Sequence, residues 1–187
     1  MKLSLAGLLL AAVAFADAPA SAQTKVKTQT ITPKAAAEVV RDLSRLPEAV
    51  RKRREEILSV ARSGDLAKVA ALAKSSNTQI SFGGETDAAD FWKKAFPDSD
   101  GLEVMATLIE ILESPFVHLD KGGAQEMFVW PYFYAVQLEK LTPEQRVELF
   151  RLVTAYDFRE MQKFGSYNFF RAGISPDGTW QFFVAGD

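Results

Sequence analysis

Apolar residues in the first half of the chain recur three and four positions apart: Val39, Val40, Leu43 and Leu46, then Val50, Ile57, Leu58 and Ala61, then Leu66, Val69, Ala70 and Leu72. That is the period of helices with one buried side. A helix is predicted over residues 33–45, opened by Thr32-Pro33, because threonine caps free backbone N–H groups and proline is tolerated at the first helical position. Leu46-Pro47 interrupts it, since proline has no N–H to donate inside a helix. A second helix is predicted over 47–62, stopped at Ser63-Gly64, and Asp65 caps a third over 66–74.

Past residue 77 the pattern mixes this period with shorter β-like runs. Residues 79–82 (QISF) before Gly83-Gly84 read as a short strand, 87–96 as a helix, and 101–114 as a stronger helix with Leu102, Met105, Leu108, Ile109 and Leu112 on one side. The runs FVHL (116–119) and MFVW (127–130) flank Lys121-Gly122-Gly123 and predict a hairpin that Pro131 ends. Thr142-Pro143-Glu144-Gln145 is a capping-box pattern, and a further helix is expected over 155–164 up to Gly165. Two last strands, 167–174 and 179–185, are joined by the turn Ser175-Pro176-Asp177-Gly178. The expected fold class is α+β, a helical N-terminal part followed by a small antiparallel sheet packed on helices.

The first residues carry an address. Met1-Lys2 is a positive start, residues 3–16 are an apolar run of 14, and Ala20-Ser21-Ala22 has the small-x-small pattern of a signal-peptidase site. The run is short of the roughly 20 residues that span a bilayer, so a signal peptide cleaved between Ala22 and Gln23 is expected, with no transmembrane segment. Residues 23–32 read as a flexible arm and 33–187 as a single domain. The protein is expected to be periplasmic or secreted.

Composition closes several chemistries. The chain has no cysteine and one histidine, so it offers no thiol nucleophile, disulfide or thiolate metal site. A formal net charge of −2 lacks the basic excess that a nucleic-acid binder needs. No cofactor and no metal are expected. The charge is unevenly spread: residues 23–77 hold 12 bases against 6 acids, and residues 78–187 hold 9 bases against 17 acids.

Four groups of residues invite a functional reading. His118, in a strand beside Asp120, suggests a hydrogen-bonded His–Asp pair, although no G-x-S-x-G elbow accompanies it. Glu113, at the end of an apolar helix, is the most interesting carboxylate. The Glu113-Ser114 pair resembles that of lysozyme-like lytic transglycosylases, whose glutamic acid protonates a glycosidic oxygen. The Gly-Leu-Met-Gln-type stretch of that family has no counterpart downstream, and Glu113 with Glu110, Asp120 and Glu126 also reads as a solvated acidic rim. Arg51, Lys52, Arg53 and Arg54 are candidates for contact with an acidic partner such as anionic headgroups, wall polymers or the acidic part of the same chain. Against that stands a helix face neutralised by Arg51/Glu55 and Lys52/Glu56 pairs. Finally, Trp130, Tyr132, Tyr134 and Trp180 stand in an aromatic-rich region that is either core or an exposed, ligand-binding groove.

The segments EMFVWPYF (126–133), LTPEQRVELFRLVTAYDFREM (141–161) and YNFFRAGISPDGTWQFFVAGD (167–187) resemble an uncharacterised family of exported proteobacterial proteins. The resemblance covers about residues 80–187 and implies an exported single domain, without implying an activity or a site. A non-catalytic binding or interaction domain of the cell envelope is the expected function, with an envelope glycan or another envelope protein as partner. A carboxylate-dependent cell-wall glycan hydrolase or lyase, and a secreted factor acting on a host or neighbouring cell, are the alternatives.

Overall fold

Strands that are apolar on both faces dictate the architecture. The computed structural model describes residues 38–186; the predicted signal peptide, the arm and the start of the first predicted helix lie outside the described residues. Five strands, β1 (Val39–Val40), β2 (Phe116–Leu119), β3 (Met127–Trp130), β4 (Arg171–Ile174) and β5 (Trp180–Val184), form one antiparallel sheet in sequence order. Six α-helices accompany it: α1 (Glu48–Arg62), α2 (Leu66–Ser75), α3 (Ala88–Ala95), α4 (Leu102–Glu113), α5 (Pro143–Leu149) and α6 (Ala155–Phe164). The fold class is α+β, as the pattern predicts.

Successive strand residues point to opposite faces. Phe116, Phe128, Trp130, Ala172, Ile174, Trp180 and Phe183 share one core with the buried sides of α1 to α4. Val117 and Val129 share a second core with Tyr132, Phe133, Leu149, Phe158 and Met161 from α5, α6 and the turn after β3. Neither face is left to solvent. Gly173 of β4 has no side chain on the second face, and the Phe182 ring lies against it in the space that a Cβ would need.

The local stop and start signals act as expected. Thr142 and Thr154 each close a capping box, with Gln145 and Asp157, at the starts of α5 and α6. Asp65 and Asp87 cap α2 and α3, and α6 ends at Gly165 with φ +93°. Each such cap contributes about 1 kcal/mol. Ser175 and Thr179 close the β4–β5 turn by a 3.0 Å backbone bond, with Gly178 at φ +84°. The peptide bond Trp130-Pro131 is cis, and β3 ends there.

Three predicted elements change, one of them the strand expected over 167–174, which forms only over Arg171–Ile174. Residues 38–45 are not helical: Val39 and Val40 pair with Val117 and Phe116 as β1, and Leu43–Arg45 is a 3₁₀ turn capped by Asp42. A β-branched pair beside an open strand edge is satisfied by the sheet, which overrides a helical period read from a few positions. The strand expected over 79–82 shrinks to a single parallel bridge, Gln79 to Phe182, which covers the outer edge of β5. Ile80 is buried there, but Phe82 is exposed.

Because Trp180 is fully enclosed, Trp180→Ala should lower stability by about 3–5 kcal/mol. Val147→Ala, at a largely exposed position, should stay within about 0.5 kcal/mol. Urea unfolding measures both, and a Trp180→Ala loss below about 1 kcal/mol contradicts the burial assigned here.

Candidate functional site

Three of the four aromatic candidates are core. Trp130, Tyr132 and Trp180 have no exposed surface, because both sheet faces carry helices, so the expected groove formed by them does not exist. Tyr134, in the 3₁₀ turn Tyr132–Ala135, is the accessible one at 42% exposure. Its ring lies 5.1 Å from the Arg171 guanidinium, which Phe82 approaches at 5.6 Å from its own ring.

The basic run of α1 is largely spent inside the molecule. Arg54 is buried and donates from Nε to the Leu112 carbonyl at 2.8 Å, satisfying a free acceptor at the C-terminal end of α4. Burial lowers its guanidinium from the ordinary value, although an arginine stays charged. Arg53 donates to the Gly178 carbonyl at 2.9 Å and pairs with Glu56 at 3.0 Å. Arg51 faces Glu55 at 3.8 Å, whereas Lys52 pairs with Glu48 at 2.7 Å instead of the expected Glu56. A four-residue basic surface open to a partner is thus replaced by internal ties and neutralised pairs, with Arg51 and Lys52 as its exposed members.

His118 does share a strand face with Phe116, and its ring stacks on Phe128 at 4.2 Å. The carboxylate beside it is Glu126, with Nε2 and Oε1 2.6 Å apart. Asp120, at φ +48°, accepts the Gln125 N–H at 2.9 Å, and Glu126 also accepts the Gly122 N–H at 3.1 Å. These contacts stitch the β2–β3 loop. The three weak catalytic candidates therefore separate, with His118 and Asp120 in the hairpin and Glu113 at the end of α4.

Glu113 opens onto a groove. A cleft of about 250 Å³ is lined by Arg41, Glu110, Glu113, Ser114, Pro115, Phe133, Glu148, Arg151 and Leu152. A second hollow of about 210 Å³ continues along α4 past Glu103, Ala106 and Thr107 to Phe169, and shares Glu110, Arg151 and Leu152 with the first. Leu152 and Phe169 pack against both cores, so the groove follows the seam between the two helical layers. Helical spacing puts Glu103, Thr107 and Glu110 on one side of α4.

Each charge in the first cleft meets an opposite one. Arg41 holds Glu148 through Nε and Nη2 at 2.9–3.2 Å, and its guanidinium lies 5.9 Å from the centre of the Tyr132 ring. The Tyr132 hydroxyl donates to the same carboxylate at 2.7 Å. Arg62 bonds directly to Glu113, and Arg151 stands 3.6 Å from Glu110. Burial, then the hydrogen bond to Glu148, raises the Tyr132 hydroxyl above the ordinary tyrosine value. Tyr167, enclosed and bonded to the Phe170 carbonyl at 3.0 Å, is raised by burial as well. Sequence reasoning singled out Glu113 and Glu110 but not Arg41, Glu148 or Arg151. Nothing local marks an arginine whose partner lies 107 positions away.

Among the described residues no three carboxylate or imidazole groups converge as a metal site. None of the helices in the described residues is long and apolar enough to cross a membrane. Comparison with protein-family models, curated proteins and solved structures finds no match to the chain.

The raised tyrosines generate a pH dependence. The folded state holds these two protons more tightly than the unfolded chain, whose tyrosines ionise near pH ~10. Their contribution is complete below that pH and is lost as pH rises above it. The urea midpoint should fall above pH ~10, with tyrosinate absorbance from Tyr132 and Tyr167 appearing only as the protein unfolds. Tyrosinate from all four tyrosines in a protein still folded at pH ~11 contradicts this.

Proposed function

We propose that the chain is an exported, non-catalytic binding domain of the cell envelope, and that its ligand lies in the groove along α4. The apolar run and small-x-small site in residues 1–22, with the resemblance of residues 80–187 to exported proteins, support export to the periplasm or the medium. The observation that carries the binding role is the groove itself, a depression lined by guanidinium and carboxylate groups together with the part-exposed apolar side chains of Leu152 and Phe169. Glu113 meets an arginine rather than the apolar walls that keep a catalytic carboxyl protonated. An envelope glycan with attached peptides offers the mixture of hydroxyl, amide and charged groups that such walls recognise.

One observation favours the second reading, a carboxylate-dependent glycan hydrolase or lyase: Glu110, Glu113 and Glu148 line the same cleft. Release of soluble fragments from peptidoglycan, abolished in Glu113→Gln with folding intact, is the result that would establish it.

The purified protein should be retained on peptidoglycan without releasing fragments. Ala106→Trp, which fills the groove from an exposed position, should abolish retention while leaving the urea midpoint unchanged. Equal retention of both proteins moves the ligand off the groove, and no retention of either removes peptidoglycan as the ligand. Retention that falls between low and physiological salt assigns the contact to the charged walls.

A further inference from the structure

The two hollows along α4 have an ion pair in common, because Glu110 and Arg151, with Leu152, belong to the walls of both. That pair is unlike its neighbours. Arg41 and Tyr132 grip Glu148 with several hydrogen bonds, and Arg62 bonds directly to Glu113. Arg151 and Glu110 stand 3.6 Å apart, beyond hydrogen-bond distance, with side chains 63% and 46% exposed. Solvated pairs with such loose geometry hold little free energy, so this one parts easily. Arg151 also sits in the connection between α5 and α6, whereas Glu110 is fixed within α4.

We propose that Glu110 and Arg151 form a latch between the hollows, and that the ligand which opens it is dipolar, a short peptide or amino acid with a free ammonium and a free carboxylate. This rests on the groove being the binding site. Once parted the two charges stay hydrated, and a ligand that displaces that water must offer each an opposite charge. A neutral ligand compensates neither, and a singly charged ligand compensates one while leaving the other facing a ligand that offers it nothing. A dipolar ligand compensates both: its ammonium takes the Glu110 carboxylate and its carboxylate takes the two-pronged donor face of Arg151. Leu152 and Phe169, which line the second hollow with that pair and are part-exposed, receive the apolar part between the two charges. The remaining pairs of the first cleft stay closed, because hydrogen bonds hold Arg41 to Glu148 of α5 and Arg62 to Glu113 of α4.

The test is two-dimensional amide NMR of the purified protein with four probes: dialanine, N-acetyl-dialanine, dialanine amide and the tetramer of N-acetylglucosamine. Dialanine should shift the amides of Thr107, Glu110, Arg151 and Leu152, and blocking either end should weaken binding by about tenfold or more, the effect of one lost charge-assisted contact. Glu110→Gln and Arg151→Gln should each bring dialanine down to the level of the blocked probes. The double exchange, Glu110→Arg with Arg151→Glu, should restore it, because the ligand can turn round. Blocked probes that bind as well as dialanine overturn the proposal. So does the tetrasaccharide shifting the groove amides when dialanine does not, a result that leaves the groove as the binding site and removes the dipolar ligand. Silence from all four probes also overturns it, and retention of Ala106→Trp on peptidoglycan then decides separately whether the groove binds anything.

Discussion

A sheet that is apolar on both faces must be covered twice, and the rest of this molecule follows from that requirement. Phe116, Phe128, Trp130 and Phe183 crowd one face, while Val117, Val129 and Phe182 occupy the other. Apolar side chains of the strands go to both faces, with a register irregularity between β4 and β5, so neither face can turn to water without exposing apolar surface. The N-terminal helices supply one cover, and the short pair α5 and α6 supplies the other. The groove lies along the line where these two covers meet.

That meeting line is charged rather than apolar. The N-terminal part of the chain is basic and the rest acidic, and the structure uses the difference internally. Arg41 crosses to Glu148, Arg62 to Glu113, Arg54 to the end of α4 and Arg53 to the turn between β4 and β5. What reads in one dimension as a positive segment in search of an acidic partner is, in three, a segment that has found one in its own chain. The most buried of these contacts, that of Arg54, has a guanidinium donating to a helix-end carbonyl, where unmet acceptors favour a positive charge.

The seam then holds two kinds of pair with different uses. Multiply bonded pairs, such as Arg41 and Tyr132 on Glu148, tie α5 to the segment after β1 and the turn after β3 and hold that wall in place. A loose pair, such as Arg151 with Glu110, leaves charges near the surface that a ligand can take over at little cost. A binding groove needs both, since rigid walls reduce the ordering cost of association and exchangeable charges supply recognition.

The elements legible along the chain are those whose signals are local. Thr142 with Gln145, Asp65 before α2, Gly165 after α6 and the turn at Ser175 to Gly178 each work through atoms a few residues apart, and each acts as read. The strand-like runs FVHL and MFVW on either side of Lys121-Gly122-Gly123 likewise specified a hairpin and, with the helical periods before it, the α+β class. Tertiary structure decided the rest. Val39 and Val40 became a strand because β2 offered them an edge. Trp130 and Trp180 became core under α1 to α4, and Tyr132 under α5 and α6, because helices cover both faces of the sheet. The charged groove exists because arginines and carboxylates more than 40 positions apart were brought to one seam. Caps, turns and periodicity are properties of neighbouring residues and are written in the order of the chain; burial and ion pairing depend on which surfaces meet, and only the folded arrangement sets that.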